Sequence, residues 1–169
     1  MIRTVLQYGA AELETKSSPI TQFDGDTKNL AQDMLETMYA APGIGLAAPQ
    51  LGINLRLIVV DTSGGEEQGH QFVLVNPEIM EQEGSQEGEE GCLSIHGFTV
   101  VVKRPDQVVL RAQDLEGNAR EMEAEGLLAR VLCHEVDHLD GILYLDRISV
   151  LKRDLIRRKI KKLIRAGEW

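Results

Sequence analysis

The segment Gly126–Leu139 reads GLLARVLCHEVDHL and contains the five-residue pattern HExxH. Leucine and valine recur along this segment at helical spacing and no proline interrupts it, so the pattern predicts a largely buried α-helix. His134 and His138 are four residues apart, and side chains at that spacing lie on one face of a helix, where two imidazoles can bind one divalent ion. The sequence therefore predicts a buried metal-binding helix.

Glu135 follows the first of these histidines directly. A divalent metal lowers the pKa of a water molecule that it binds, and a neighbouring carboxylate can take the proton and pass it to a leaving group. This combination is typical of metal-assisted hydrolysis. An ordinary charged helix can also carry these residues by chance, so the surrounding sequence has to decide between the two interpretations.

A catalytic metal site of this kind takes three protein ligands and leaves one position open, so a third ligand is needed. Metzincin proteases place a histidine where this chain has Tyr144, and thermolysin-like proteases use a later glutamate, for which the chain offers only Glu168. Both patterns fit poorly. Cys92 in the upstream segment Glu90–Ser94 offers a thiolate. The alternative for this cysteine is an inert core residue.

Three short motifs occur in order along the chain. They are GIGLAAPQ at Gly43–Gln50, EGCLS at Glu90–Ser94 and HEVDH at His134–His138. Together they resemble the motifs of the bacterial-type peptide deformylases, and the similarity extends from the N-terminus to about residue 165. The resemblance implies an α+β fold in which mixed and antiparallel β-sheets surround the central HExxH helix, with an amphipathic helix at the C-terminus.

The resemblance also implies a reaction, which is hydrolysis of the formyl group from the N-terminal formyl-methionine of newly synthesised polypeptides, with release of formate. This is a step of protein biosynthesis. By similarity, the metal ligands are Cys92, His134 and His138. Glu135 corresponds to the general base, and the Gln50 amide with the Leu93 backbone NH corresponds to the donors that stabilise the developing oxyanion.

The same resemblance implies how the substrate is bound. The nascent chain lies extended, as an added strand, along Ile44–Gly45 and along Ile95–Gly97. Glycines suit such a surface because they let two backbones approach closely. The apolar pocket for the methionine side chain corresponds to Ile44, Leu127 and His134.

The identity of the metal is predicted differently by ligand chemistry and by resemblance. One cysteine and two histidines suit zinc at least as well as iron. The resemblance implies ferrous iron, which acts as a Lewis acid because the hydrolysis requires no redox change. Preparations handled in air could then carry Zn²⁺ or Ni²⁺ instead.

Composition predicts one catalytic domain over residues 1–169, since this length and 43% hydrophobic content suffice for a single core. Two cysteines cannot form a disulfide framework, and a thiolate ligand requires a reducing compartment. Residues 1–8 lack the apolar core of a signal peptide, and no apolar run approaches membrane-spanning length. We therefore expect a cytoplasmic protein with no membrane partner.

The net charge of −9 conceals a basic segment, because residues 149–169 carry eight Lys or Arg against two acidic residues. Apolar residues recur there at helical spacing, so the segment predicts a basic amphipathic C-terminal helix. Its charged side can simply be solvated. The resemblance adds a second interpretation, in which the helix contacts the phosphates of ribosomal RNA near the exit tunnel.

The remaining elements are predicted from local patterns. A helix is expected over residues 29–41, and strands over residues 55–60, 72–76, 98–103, 108–112 and 120–124. The acidic, glycine-punctuated stretch 81–90 is expected to be a solvated loop. Cys133 is expected to be a packed thiol rather than a ligand, because it lies about 100° around the helix from His134. His96 and Thr99 depart from residues that are frequent in the family near the expected peptide-binding edge.

Two other functional classes stay open at this point. A small zinc metallopeptidase would cut internal bonds of unformylated peptides. A non-catalytic, ribosome-associated metal protein would account for the basic segment, but simple metal binding requires neither Glu135 nor Gln50.

Overall fold

Seven β-strands form two antiparallel sheets in the computed structural model, which describes residues 1–169. The strands are β1 Gly45–Ala47, β2 Leu57–Asp61, β3 Gln71–Glu83, β4 Gln86–Cys92, β5 Ile95–Arg104, β6 Gln107–Gln113 and β7 Ala119–Glu125. A five-stranded sheet has the order β1-β2-β3-β6-β7, and β4 pairs with β5 in a second sheet. All these pairings are antiparallel. The predicted α+β class is confirmed.

Three α-helices complete the fold, and they are α1 Gly25–Ala40, α2 Gly126–Leu139 and α3 Val150–Arg165. Side-chain oxygens cap two of them, because Asp24 accepts a hydrogen bond from the Thr27 NH at 3.1 Å and Ser149 accepts one from the Lys152 NH at 3.2 Å. Both predicted helices that flank the HExxH helix in sequence are therefore present. None of the three combines the length and apolar character that crossing a bilayer requires.

Strand β2 decides how the helices pack, because all five of its residues are buried. Successive side chains of a strand point to opposite faces of the sheet. Ile58 and Val60 pack in a cluster with the apolar residues of α2, whereas Leu57 and Val59 pack in a cluster with those of α1. The five-stranded sheet consequently lies between α1 and α2.

A third apolar cluster joins α3 to the small sheet. Ile160 of α3 is 1% exposed and packs in this cluster with Ile95 and Val102 of β5 and with Tyr144. The other apolar side chains of α3 remain more accessible, and Leu151 and Leu155 are exposed. One side of the basic amphipathic helix thus docks on the fold, as its apolar periodicity predicts.

The prediction of a loop over residues 81–90 is wrong. Strand β3 continues to Glu83 and β4 begins at Gln86, with Gly84 in the turn at a φ of +68°. The acidic side chains are mostly exposed, as predicted, but their backbone pairs with β6 on one side and β5 on the other. A run of charged residues indicates which side chains are exposed to water. It does not prevent the backbone of the same residues from pairing with neighbouring strands.

Candidate active site

Helix α2 carries polar side chains into the protein interior. Every residue from Ala129 to Leu139 is buried. The apolar side, which includes Leu132 and Val136, packs on the five-stranded sheet, and the polar side faces the small sheet. His134 and His138 lie one turn apart on that polar side, with ring centroids separated by 5.0 Å. The helical spacing thus produces the paired imidazoles that the sequence predicts.

Cys92, the last residue of β4, lies beside these histidines. Its Sγ is 3.3 Å from His138 Nε2, and one ligand atom each from Cys92, His134 and His138 lie within 4.8 Å of one another. Ligand atoms in a tetrahedral transition-metal site are about 3.5 Å apart, given metal–ligand bonds of about 2.0–2.3 Å. The cysteine and two imidazoles therefore fit a divalent cation, with one position left for another ligand.

The other residues weighed as third ligands have different roles. The Tyr144 hydroxyl donates a hydrogen bond to the Phe98 carbonyl at 2.9 Å, and its ring stacks on His134 with a centroid distance of 6.0 Å. Glu168 lies outside the cluster of metal-ligand atoms. Tyr144 thus supports the ring of a metal ligand instead of replacing one.

Glu90 fixes the orientation of His134, and this contact was not predicted from the sequence. Its Oε1 lies 2.8 Å from His134 Nδ1, so Nδ1 carries the proton and Nε2 is free for a metal. Arg104 donates to both oxygens of Glu90 at 2.9 Å, and Arg130 donates to Oε2 at 2.8 Å. Burial would raise the pKa of Glu90, but hydrogen bonds from Arg104 and His134 lower it to about 2.

A second carboxylate extends this buried ion network. Asp137, inside the HExxH pattern, accepts hydrogen bonds from Arg104 at 2.7 Å and from Arg147 at 2.9 and 3.1 Å. Buried charges require such partners because they lose their hydration. The signal in the sequence for this network was Arg130, which lies among apolar residues of the helix and needs an acidic partner once buried; that partner is Glu90.

The two imidazoles differ in their electrostatic surroundings. Burial holds the pKa of His138 well below its usual range, which keeps its ring neutral and able to bind a metal. Burial also acts to lower the pKa of His134, but its contacts with Cys92 and Glu90 raise that pKa overall.

Glu135 is buried beside strand β1. Glu135 is 4% exposed, and its Oε1 has no hydrogen-bond partner within the protein. A Cβ at position 45 would lie 2.5 Å from Glu135 Oε2, so the glycine leaves the space that this carboxylate occupies. Burial raises the pKa of Glu135 to about 7. The site therefore contains a confined carboxylate with one oxygen free to accept a proton.

Gln50 has a fixed amide orientation at the same site. Its Oε1 accepts a hydrogen bond from the Ala47 NH at 2.9 Å, and its Nε2 donates to Ser94 Oγ at 3.1 Å. The same Nε2 lies 3.6 Å from Cys92 Sγ. The side chain is buried, so its NH₂ group is held beside a metal-ligand candidate without competition from bulk water.

A cavity of about 740 Å³ joins these groups. Every site residue predicted from the sequence lines it except His138, which lies in the metal-ligand cluster behind it. The walls include β1 and β5, and each of these strands is at an edge of its sheet. Gly45 of β1, Ile44 directly before it, and Ile95 and Gly97 of β5 are predicted site residues in these walls. The other predicted residues that line the cavity are Leu127, Leu93, Gln50, Cys92, His134 and Glu135.

Cys133 is separate from this cavity, as the helical angle predicts. It is buried among the apolar residues between α2 and the five-stranded sheet, and burial raises the pKa of its thiol to about 11. His96 and Thr99, the two departures from family preference, are exposed at the cavity wall formed by β5. The burial of Cys133 in the apolar cluster confirms that it is a packed thiol.

Comparison with known proteins supplies relatives for the whole chain. A sequence model of the family described as polypeptide deformylase matches residues 2–154. A peptide deformylase of Acidobacterium capsulatum is 50% identical over 169 residues, which cover 100% of this chain and 99% of the relative. A crystal structure of a peptide deformylase from Legionella pneumophila has a TM-score of 0.91 and 44% identity, and covers 99% of this chain and 98% of that one. The chain therefore belongs to the polypeptide deformylase family.

Proposed function

We infer that this chain is a peptide deformylase, a hydrolase that removes the N-terminal formyl group from the formyl-methionine of newly synthesised polypeptides and releases formate. The observation that carries this inference is the joint placement of Cys92, His134, His138 and Glu135 at one cavity, in a chain that belongs to the polypeptide deformylase family. A hydrolase of this kind needs a metal, a base and room for an extended peptide, and the cavity provides a place for each.

We propose that Cys92, His134 and His138 hold the catalytic metal and that this metal is Fe²⁺. The donor set supports a transition metal, and family resemblance supports iron over zinc. When bound, the cation supplies Lewis acidity, which makes water a stronger nucleophile near neutral pH and polarises the formyl carbonyl. Zn²⁺ and Ni²⁺ suit the same ligands, so preparations exposed to air are expected to contain them as substitutes.

We propose that Glu135 is the general base. Its unpartnered Oε1 takes the proton from the attacking water and then delivers it to the departing amide nitrogen, since an amine leaves readily only when it is protonated. Gln50 Nε2 and the Leu93 NH donate hydrogen bonds to the former carbonyl oxygen as negative charge develops there. The fixed amide of Gln50 and the position of Leu93 in the turn between β4 and β5 support these roles.

We propose that the peptide lies between the edges of β1 and β5. Ile44 and Gly45 on one side, and Ile95 and Gly97 on the other, then pair with the extended substrate backbone. Binding through backbone pairing depends little on the side chains of the substrate beyond its first residue. The methionine side chain enters an apolar pocket beside Ile44 and Leu127, and the 51% exposure of Leu127 supports its placement at the rim.

Formate release from formyl-Met-Ala-Ser tests this function. We expect anaerobically purified protein of measured iron content to release formate from this peptide and to leave unformylated Met-Ala-Ser intact. The unformylated peptide is the control because its internal bonds are the same. No formate from iron-loaded protein would exclude the deformylase activity, and cleavage of Met-Ala-Ser would instead indicate a metallopeptidase.

We propose a cytoplasmic location, supported by the expected thiolate ligand, and one catalytic domain over residues 1–169 that includes the basic helix. The packing of Ile160 with β5 supports the inclusion of α3 in that domain. We further propose that the exposed side of α3 contacts the ribosome. Its exposed basic residues support this, and they are Lys152, Arg158, Lys159, Lys161, Lys162 and Arg165.

Charge reversal on α3 is the suitable test of ribosome contact, because deletion of the helix would uncover the cluster around Ile160. We expect a K152E/K159E/K161E/K162E variant to lose most co-sedimentation with ribosomes at low salt, since cation–phosphate contacts supply such binding. Activity on soluble peptides should persist. A K16E/K103E variant, which reverses exposed lysines outside α3, is the control. Equal co-sedimentation of the wild type, the α3 variant and this control would contradict the proposal.

A further inference from the structure

We propose that Trp169 is a positioning residue for the peptide-binding edge of β5, where it holds His96 and Phe98 and thereby sets how tightly substrate residues beyond formyl-methionine are bound. The proposal rests on the proposed function, in which the peptide lies along Ile95–Gly97. It concerns affinity for longer peptides and assigns Trp169 no part in the hydrolysis.

Trp169 packs against the start of β5 through two aromatic contacts. Its ring centroid is 5.8 Å from that of His96, with 37° between the planes, and 6.1 Å from that of Phe98, with 55° between the planes. Tilted pairs at these distances are favourable because the electron-rich face of one ring meets the electron-poor edge of the other. Both partners of Trp169 line the cavity.

A hydrogen-bond chain fixes the position of Trp169 itself. Its Nε1 donates to the Tyr8 carbonyl at 3.0 Å, and the Tyr8 hydroxyl accepts from Arg157 Nε at 2.9 Å. The Tyr8 NH in turn donates to the Ser94 carbonyl at 2.7 Å. Trp169 is thus attached, through Tyr8, to the turn that follows Cys92, so its ring is a fixed support for the adjoining strand.

Buried Ile95 and the hydrogen bond from Tyr144 to the Phe98 carbonyl anchor the two ends of this segment, and His96 and Gly97 lie between them. β5 pairs only with β4, and His96 and Gly97 are exposed at the cavity. Gly97 has a φ of +86° and no side chain, so its backbone can adopt many conformations at small cost. A peptide that adds to this edge gains affinity when the edge is already ordered, since ordering on binding costs free energy. The contacts of Trp169 with His96 and Phe98 provide that order.

The metal ligand His134 is held by contacts other than those of Trp169, and Gln50, which bonds to Ser94, is fixed separately by the Ala47 NH. His134 is oriented by Glu90, and Glu90 is bound by Arg104 and Arg130, none of which touches Trp169. Loss of the indole should therefore weaken binding of the peptide beyond its first residue and leave the hydrolytic step unchanged. A split between KM and kcat distinguishes this role from a general contribution to folding.

The test compares Trp169→Ala with wild type on formyl-Met-Ala-Ser and on formyl-methionine. We expect the KM for the tripeptide to rise about three- to tenfold, the range of a lost aromatic contact, with kcat for both substrates and the KM for formyl-methionine unchanged. Trp169→Phe should recover part of the loss. Leu151→Ala, which truncates an exposed apolar side chain on α3, the helix that precedes Trp169, is the control and should behave as wild type.

His96 provides an independent check through a double-mutant cycle. The cycle compares Trp169→Ala, His96→Ala and the double variant. If Trp169 acts through His96, the double variant should have a tripeptide KM close to that of the more impaired single variant, because the effects of substituting two residues in one contact are not additive. Equal losses on both substrates, a fall in kcat that follows the melting temperature, or no change would each overturn the proposal. Absence of formate from wild type would instead contradict the deformylase assignment.

Discussion

Glu135→Gln should lower kcat for formyl-peptide hydrolysis by about 10²- to 10⁴-fold, the usual contribution of a general acid–base group. Glutamine has nearly the same size, so the close packing against Gly45 is retained while the proton-accepting oxygen is lost. Formate release, single-turnover rates and metal content should be measured together. We expect one metal per chain in both proteins, and a KM that changes little, since the base acts after the peptide is bound.

Glu121→Gln is the control for this substitution, because it removes an exposed carboxylate on β7 that takes no part in the site. It should keep the activity and the metal content of the wild type. A Glu135→Gln protein that hydrolyses formyl peptides at the wild-type rate while fully metal-loaded would exclude Glu135 as the base. If the Glu135→Gln protein loses its metal, its low activity does not distinguish a defect in metal binding from a defect in proton transfer. Glu135→Asp should then be measured with added Fe²⁺.

Cys92→Ala should abolish activity by removing the metal. Loss of a group that merely orients a metal ligand costs about 10- to 100-fold in affinity, so loss of a direct ligand should cost more. Only the two imidazoles remain, and two neutral nitrogens without the thiolate hold a divalent ion weakly. We expect anaerobically purified Cys92→Ala to contain almost no iron and to release no measurable formate, as judged by elemental analysis and the formate assay.

The second cysteine supplies a matched control. Cys133 is adjacent to His134 in sequence but is buried in the apolar cluster, so Cys133→Ala should lower stability modestly and keep both metal and activity. If Cys133→Ala lost the metal and Cys92→Ala kept it, the assignment of the third ligand would be wrong. Circular dichroism of both variants establishes that each is folded before its metal content is compared.

Local patterns predicted the helix that carries His134, Glu135 and His138, but not β1 or β4, which lie beside Gln50 and Cys92. The 3.6-residue periodicity of Gly126–Leu139 placed His134 and His138 on one face, because a helix imposes that face on any residues four apart. Alternating or continuous apolar runs located β2, β5, β6 and β7 for the same local reason. The prediction failed for residues 81–90, where most side chains are solvated but Glu90 is buried and the backbone pairs with β6 and β5.

The sequence by itself determined the helix with its two imidazoles, the candidate third ligand and, through the three motifs, the family. Only the tertiary structure decided which groups meet across long separations, such as Glu90 with His134 and Arg104 with Asp137. It also decided that Glu135 Oε1 has no partner and that Trp169 reaches His96. Periodicity reports the direction of a side chain within its own element, whereas burial and pairing depend on which elements pack together.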